Sequence, residues 1–216
     1  FNMYHKYTVD EHTIQCIKIL SQIEQGFLTE DLPLASKILK EGVNRKVLYM
    51  ALLLHDVGKG RPEDHSILGA KISTKVTKRL GFEDHDIKLT SWLIENHLLM
   101  SDISQKRDLS EEKTIRDFAN IVKSTTRLRL LTVLTVCDIR GVGPEVWNNW
   151  KAVLIRQLYK DSLLALEKGN VISSADSIKT AKETLKIHLK NSQHKFGEVS
   201  FERHYDSFWL GLDTST

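Results

Sequence analysis

Apolar positions along this chain recur at intervals of three and four, the period of helices that bury one face, and a strand signal is absent except within the C-terminal tail. Thr8 followed by Glu11 has the spacing of a capping box and opens a helix with Val9, His12, Cys16, Ile19 and Ile23 on one side. The segment EDLPLASKILKEGVN reads as a loop or short helix. RKVLYMALLLHDVGKG is apolar almost all round, the pattern of a central buried helix, and Gly58 and Gly60 end it just past His55 and Asp56. DHSILGAKISTKVTKRLG predicts a helix with Ile67, Leu68, Ala70, Ile72, Val76 and Leu80 inward, Gly81 as its stop and His65 at its N-terminal edge. In DIKLTSWLIENHLLM, Leu89, Leu93 and His97 are four apart, which places His97 on an apolar stripe. Ser110 with Glu111 and Glu112 announces a helix through Val122. TTRLRLLTVLTVCDIRGVGP gives the next, on which Leu131, Leu134 and Asp138 share a face. Pro144 then starts a long amphipathic helix with Trp147, Trp150, Leu154 and Leu158 as its anchor row, and beyond Gly169 come a Lys-rich helix and the tail FERHYDSFWLGLDTST.

Composition narrows the fold class to all-α. With 216 residues, 41% hydrophobic, 27% charged, only 3 prolines and 11 glycines, the chain has the material for one helical bundle plus an extension. The expected division is a domain over residues 1–160 and a C-terminal helical extension over 161–216, leading toward a following domain. A chain that opens on FNMYHKYTVDEH, without Met, reads as a piece of a longer protein. Cys16 and Cys137 stand singly inside apolar runs, so neither a disulfide framework nor a zinc ribbon is supported, and a reducing, cytoplasmic setting is expected. No apolar run nears the roughly 20 residues of a membrane span. A net charge of +3 and pI near 8.7, with lysines and arginines dispersed, gives no case for a nucleic-acid or membrane partner.

Candidate chemistry comes from polar residues in the wrong company. His12, His55, Asp56, His97 and Asp138 each lie at the end or on the inner face of an apolar helix, and His65 stands near by in sequence. A single histidine so placed is usually a core residue bonded to a carbonyl. A buried aspartate needs a cation or several donors, because an unpaired carboxylate costs several kcal/mol or gives up its charge. Two explanations stand side by side. Ion pairs, Asp138 with Arg140 and Asp56 with Lys59, account for each aspartate separately. A divalent ion accounts for aspartates and histidines together, since neutral imidazole and carboxylate suit Mn, Fe, Co or Zn at an open site.

The order His12, then His55-Asp56, then Asp138 resembles the HD superfamily of metal-dependent phosphohydrolases. The flanking words YHKYTVDEHT, LLLHDVGKGRPEDHSILGA, WLIENHLLMSDISQKRDLS and CDIRGVGPEVWNNWK are similar, through most of residues 4–160, to the uridylyl-removing HD domains of bacterial bifunctional PII uridylyltransferases. FERHYDSFWL is similar to the segment that precedes the glutamine-sensing ACT domains of that family. The resemblance implies an all-α HD bundle in which His12, His55, Asp56 and Asp138 bind one metal ion. In two-metal members Asp56 would bridge to a second ion held by His65 and His97. Mn2+ is the expected ion, with Mg2+, Fe2+ or Zn2+ as alternatives, and one or two are bound. The implied reaction is hydrolysis of UMP from a tyrosine of the PII signalling protein. Lys59 is expected to neutralise the phosphate or assist the leaving group, Arg107 to grip the nucleotide phosphate or the protein substrate, and His5 to lie at the rim. The opposing transferase activity belongs to a nucleotidyltransferase domain whose Gly-Ser and paired Asp motif these residues do not supply.

Rival readings remain at this point. A guanosine tetraphosphate hydrolase would show an acidic pair soon after the HD, and Glu63-Asp64 offers one. A catalytically inert HD module would keep the fold and lose ligands, whereas here each expected ligand is present.

Overall fold

The computed structural model describes residues 8–143 and 146–169. His5, Pro144 and the Lys-rich helix and tail expected after Gly169 lie outside the described residues. The helices are α1 (Val9–Glu24), α2 (Pro33–Glu41), α3 (Arg45–Leu54), α4 (His65–Arg79), α5 (Asp84–Glu95), α6 (Leu99–Lys106), α7 (Glu112–Val122) and α8 (Thr125–Val142). A further helix, α9, occupies residues 149–169. Among the described residues there is no strand, and no helix is long and apolar enough to cross a membrane. The chain divides into two units, Phe1–Leu164 and Ala165–Thr216, and the first holds every described candidate residue.

The helix buried all round is α8, not α3. Leu128 and every residue from Leu130 to Cys137 are buried, and α1, α2, α3, α5, α6 and α7 all pack against this helix. In α3 the buried residues are Val47, Leu48, Ala51 and Leu52, while Leu53 is 48% exposed, so this helix is amphipathic. Its composition misleads because an exposed leucine looks no different in sequence from a buried one.

The inward face of α4 also departs from the expected one. Ile67 and Leu80 are exposed, and the buried residues are Ser66, Gly69, Ala70, Ser73 and Thr77. Small residues let α4 approach α5 closely: a Cβ on Gly69 would stand 3.0 Å from Ile94 Cγ2. The hydroxyls of Ser73 and Thr77 donate back to the carbonyls of Ala70 and Ser73, so this polar face is buried with its donors satisfied. On α9 the packed row is Ala152, Ile155, Leu158 and Tyr159, with Trp150 58% exposed, so of the expected anchors only Leu158 is fully buried. The helix begins at residue 149 behind Asn148, whose side chain accepts from the Lys151 amide, rather than at Pro144.

Caps explain several boundaries. Asn44, Asp64 and Ser124 accept from the first-turn amides of α3, α4 and α8. The capping box expected at Thr8 does not form. Thr8 makes no cap bond, its hydroxyl instead bonds Asp10 and holds that carboxyl below its usual range, and Glu11 accepts from Gln15. Ser110 likewise turns to Asp108, so α7 starts one residue later, at Glu112.

Candidate metal centre

Five separate places in the sequence deliver the site. His12 comes from α1, His55 is the C-cap of α3 and Asp56 follows it in the turn, His65 opens α4, His97 lies in the turn between α5 and α6, and Asp138 lies in the last turns of α8. His12, His55, Asp56 and His97 are at most 2% exposed. The side chains of Asp138, His65 and Lys59, at 15%, 26% and 28%, form the wetter side. Helix α3 stops at Leu54, one residue before His55, so a turn rather than a helix presents the His-Asp pair. Gly58 permits that turn: a Cβ there would collide with the His65 carbonyl. Gly141 does the same for α8, where a Cβ would press on Cys16 Sγ beside the His12 ring.

The ligand atoms fall into two groups that share Asp56. His12 Nε2 lies 2.9 Å from Asp138 Oδ1 and 3.2 Å from His55 Nε2. Asp56 turns Oδ2 toward this pair, 3.4 Å from His55 Nε2 and 3.8 Å from His12 Nε2. Its other oxygen, Oδ1, faces His97 Nε2 at 3.8 Å and His65 Nε2 at 4.0 Å. Within each of the sets His12–Cys16–His55–Asp138 and Asp56–His65–His97, the ligand atoms lie within 4.8 Å of one another. Cys16, one helical turn from His12, places Sγ 3.5 Å from its Nε2. Its i, i+4 relation to His12 was visible in the sequence, but its apolar surroundings marked it only as core.

Second contacts aim the rings. Nδ1 of His55 donates to Leu52 O at 2.8 Å, and Nδ1 of His97 donates to Ile94 O at 2.7 Å, since a carbonyl can only accept. In the neutral ring each Nε2 therefore turns its lone pair into the cluster, the tautomer a metal ligand needs. Burial lowers the His55 pKa, but hydrogen bonding and attraction from Asp138 and then Asp56 outweigh it and leave the value raised. Burial dominates at His97 and lowers its pKa. Burial opposes ionisation of Asp138 too, yet bonds from His12 and His55 hold its carboxyl well below the usual range. Burial pushes the Cys16 thiol far up, so it is neutral beside the cluster.

The ion-pair account fits this geometry in part. Arg140 pairs with Asp31 at 3.6 Å, not with Asp138. Lys59 does meet Asp56, as an ion pair with Nζ 2.6 Å from Oδ2, but among the described residues both oxygens of Asp56 and Nε2 of His65 remain buried without a hydrogen bond. The ammonium offsets the charge and leaves the lone pairs aimed at imidazoles unused. Such an arrangement of orphaned acceptors, all nitrogen and oxygen, fits a divalent cation: His12, His55, Asp56 and Asp138 would hold one ion, and Asp56, His65 and His97 a second. Arg107 is exposed at the C-cap of α6 and, among the described residues, its side chain makes no hydrogen bond or ion pair. The acidic pair after the HD is otherwise engaged, Asp64 as the cap of α4 and Glu63 3.9 Å from Lys71.

The family model of the HD domain matches residues 9–125, a span that contains His12, His55, Asp56, His65 and His97. This chain belongs to the HD domain family. The whole 216-residue chain is matched by proteins named bifunctional uridylyltransferase/uridylyl-removing enzyme. That of Ruegeria pomeroyi is 59% identical over 219 residues, covering 100% of the chain and 24% of the relative. That of Cereibacter sphaeroides is 52% identical over 217 residues, and that of Azospirillum brasilense 47% over 221, each covering 100% of the chain and 23% of the relative. The chain thus spans about a quarter of the length of these relatives.

Proposed function

We propose that this chain is a metal-dependent phosphodiesterase that hydrolyses UMP from the uridylylated tyrosine of the PII protein in the bacterial cytoplasm, as the removing part of a longer enzyme that also carries nucleotidyltransferase and ACT domains. The observation that carries the chemistry is Asp56, a buried carboxylate with both oxygens lacking hydrogen bonds and each facing a pair of imidazole nitrogens. The names of the relatives support the substrate class. A divalent ion, Mn2+ first among Mn2+, Mg2+, Fe2+ and Zn2+, polarises phosphoryl oxygens and makes water a nucleophile near neutral pH when bound.

The residues of the chain do the rest. Asp138 fixes His12, the Leu52 and Ile94 carbonyls fix His55 and His97, and the buried side of the cluster excludes water. Lys59, on the wetter side, neutralises charge that builds on the phosphate and on the departing tyrosine oxygen. Arg107 and His5 are assigned to the nucleotide or the protein around it. Asp64 caps α4 through Oδ1, a structural role that weighs against reading the acidic pair as the mark of a guanosine tetraphosphate hydrolase. The test is to incubate the chain with uridylylated PII and Mn2+ and follow UMP. Wild type is expected to release it and Asp56→Ala not to; a wild-type chain that holds Mn2+ and releases no UMP contradicts the substrate assignment.

A further inference from the structure

Asp56 is approached by five nitrogen groups at once, and they are not equivalent. Lys59 Nζ is 2.6 Å from Oδ2, nearer than His55 Nε2 at 3.4 Å or His12 Nε2 at 3.8 Å on the same oxygen. A divalent ion held by His12, His55 and Asp56 would share that oxygen with the ammonium, and like charges at such range repel strongly in a site shielded from water. Lys59 has room to withdraw. Its side chain is 28% exposed against 2% for Asp56, so it reaches the carboxylate from the solvent side. The backbone beneath it does not have that room: Gly58 is packed on the His65 carbonyl, and the Lys59 amide is bonded to Asp56 O at 3.0 Å. Any exchange is therefore a swing of the lysine side chain over a pinned turn.

We propose that Lys59 is a built-in competitor of the metal: its ammonium neutralises Asp56 in the metal-free protein and leaves Oδ2 when the ion binds. The inference rests on the reading of this cluster as a metal site. It gives Lys59 two opposed effects, weakening metal affinity and supporting the metal-free fold, and it frees the ammonium for the phosphate only once the ion is in place. A residue that merely positioned Asp56 would instead strengthen metal binding, so the sign of the change decides.

Calorimetric titration of Mn2+ into the 216-residue chain reads affinity without turnover. Removing a positive charge this close to a ligand oxygen in Lys59→Met is expected to tighten binding about tenfold or more. The chelator-treated variant is expected to melt lower than wild type. Lys59→Arg, which keeps the charge, is expected to tighten binding less than Lys59→Met. Affinity that is unchanged or weaker in Lys59→Met overturns the proposal, as does equal tightening by Lys59→Arg. If Lys59→Met does not fold, Lys59→Gln is read by the same criteria. Failure of the wild-type chain to bind Mn2+ at all removes the metal site and this inference with it, whereas wild-type binding without tightening in the variants removes only the inference.

Discussion

Asp56 concentrates the account in one side chain. Its carboxylate is 2% exposed, lacks a hydrogen bond at either oxygen and divides two pairs of imidazoles between Oδ1 and Oδ2. Asp56→Asn preserves volume and removes the charge, and is expected to weaken Mn2+ binding more than about 100-fold, beyond the usual effect of an outer-shell change; calorimetry reads it, and a loss under tenfold would mean that Asp56 serves only Lys59. The two carbonyl-anchored histidines should separate on titration. In chelator-treated protein, His55, raised by Asp138 and Asp56 against its burial, is expected to protonate at higher pH than His97, lowered by burial. Histidine NMR shifts followed against pH check this, and coincident titrations contradict it. The linkage to stability has opposite signs at the two rings. Stabilisation from the raised His55 is present below the ordinary imidazole pKa and fades as pH climbs through its folded value, whereas the lowered His97 costs stability as pH falls below the ordinary value.

Packing of the helices puts different demands on residues that look alike in sequence. Ile67 of α4 and Leu80, its C-cap, face solvent, so Ile67→Gln and Leu80→Gln are expected to change stability by less than about 0.5 kcal/mol. Ser73 is buried where α4 meets α5, and Ser73→Leu is expected to cost about 1–3 kcal/mol through overpacking. Leu131→Ala, in the middle of α8, should cost about 2–5 kcal/mol. Urea denaturation of the four variants measures these differences, and a reversed order for α4 would mean that its face is wrongly phased. The same contrast shows what was legible beforehand. Periodicity located α1, α5, α7 and α8, and the Leu89–Leu93–His97 stripe is buried as its spacing implied. The phase of α4 was not legible, because its inner face is small and hydroxylic, and a hydropathy pattern turns such a face outward. Nor was the all-round burial of α8, whose arginines and threonines dilute the apolar signal. Of the site, the imidazoles and carboxylates could be named from their setting. The Asp56–Lys59 pair follows from their three-residue spacing, and the resemblance implies the sharing of Asp56 between two groups. The approach of Cys16 to the cluster needed coordinates, since it depends on how α1 and α8 meet.

The first unit as a whole is tied together at this centre, since α1, α3, α4 and α8 and the turn after α5 each end in or supply a ligand. An ion bound by the folded chain and not by the unfolded one stabilises all of them together. Mn2+ at about 100 times its dissociation constant is therefore expected to add about 2.7 kcal/mol to the unfolding free energy, seen as a rise in melting temperature that a chelator reverses. The chain spans about a quarter of the length of the curated relatives it matches. The described residues hold the candidate metal centre within the first unit. Anomalous diffraction from crystals grown with Mn2+ tests it most directly: the account predicts one or two peaks against Asp56, one beside His12, His55 and Asp138 and the other beside His65 and His97, and a map with no peak at Asp56 would contradict it.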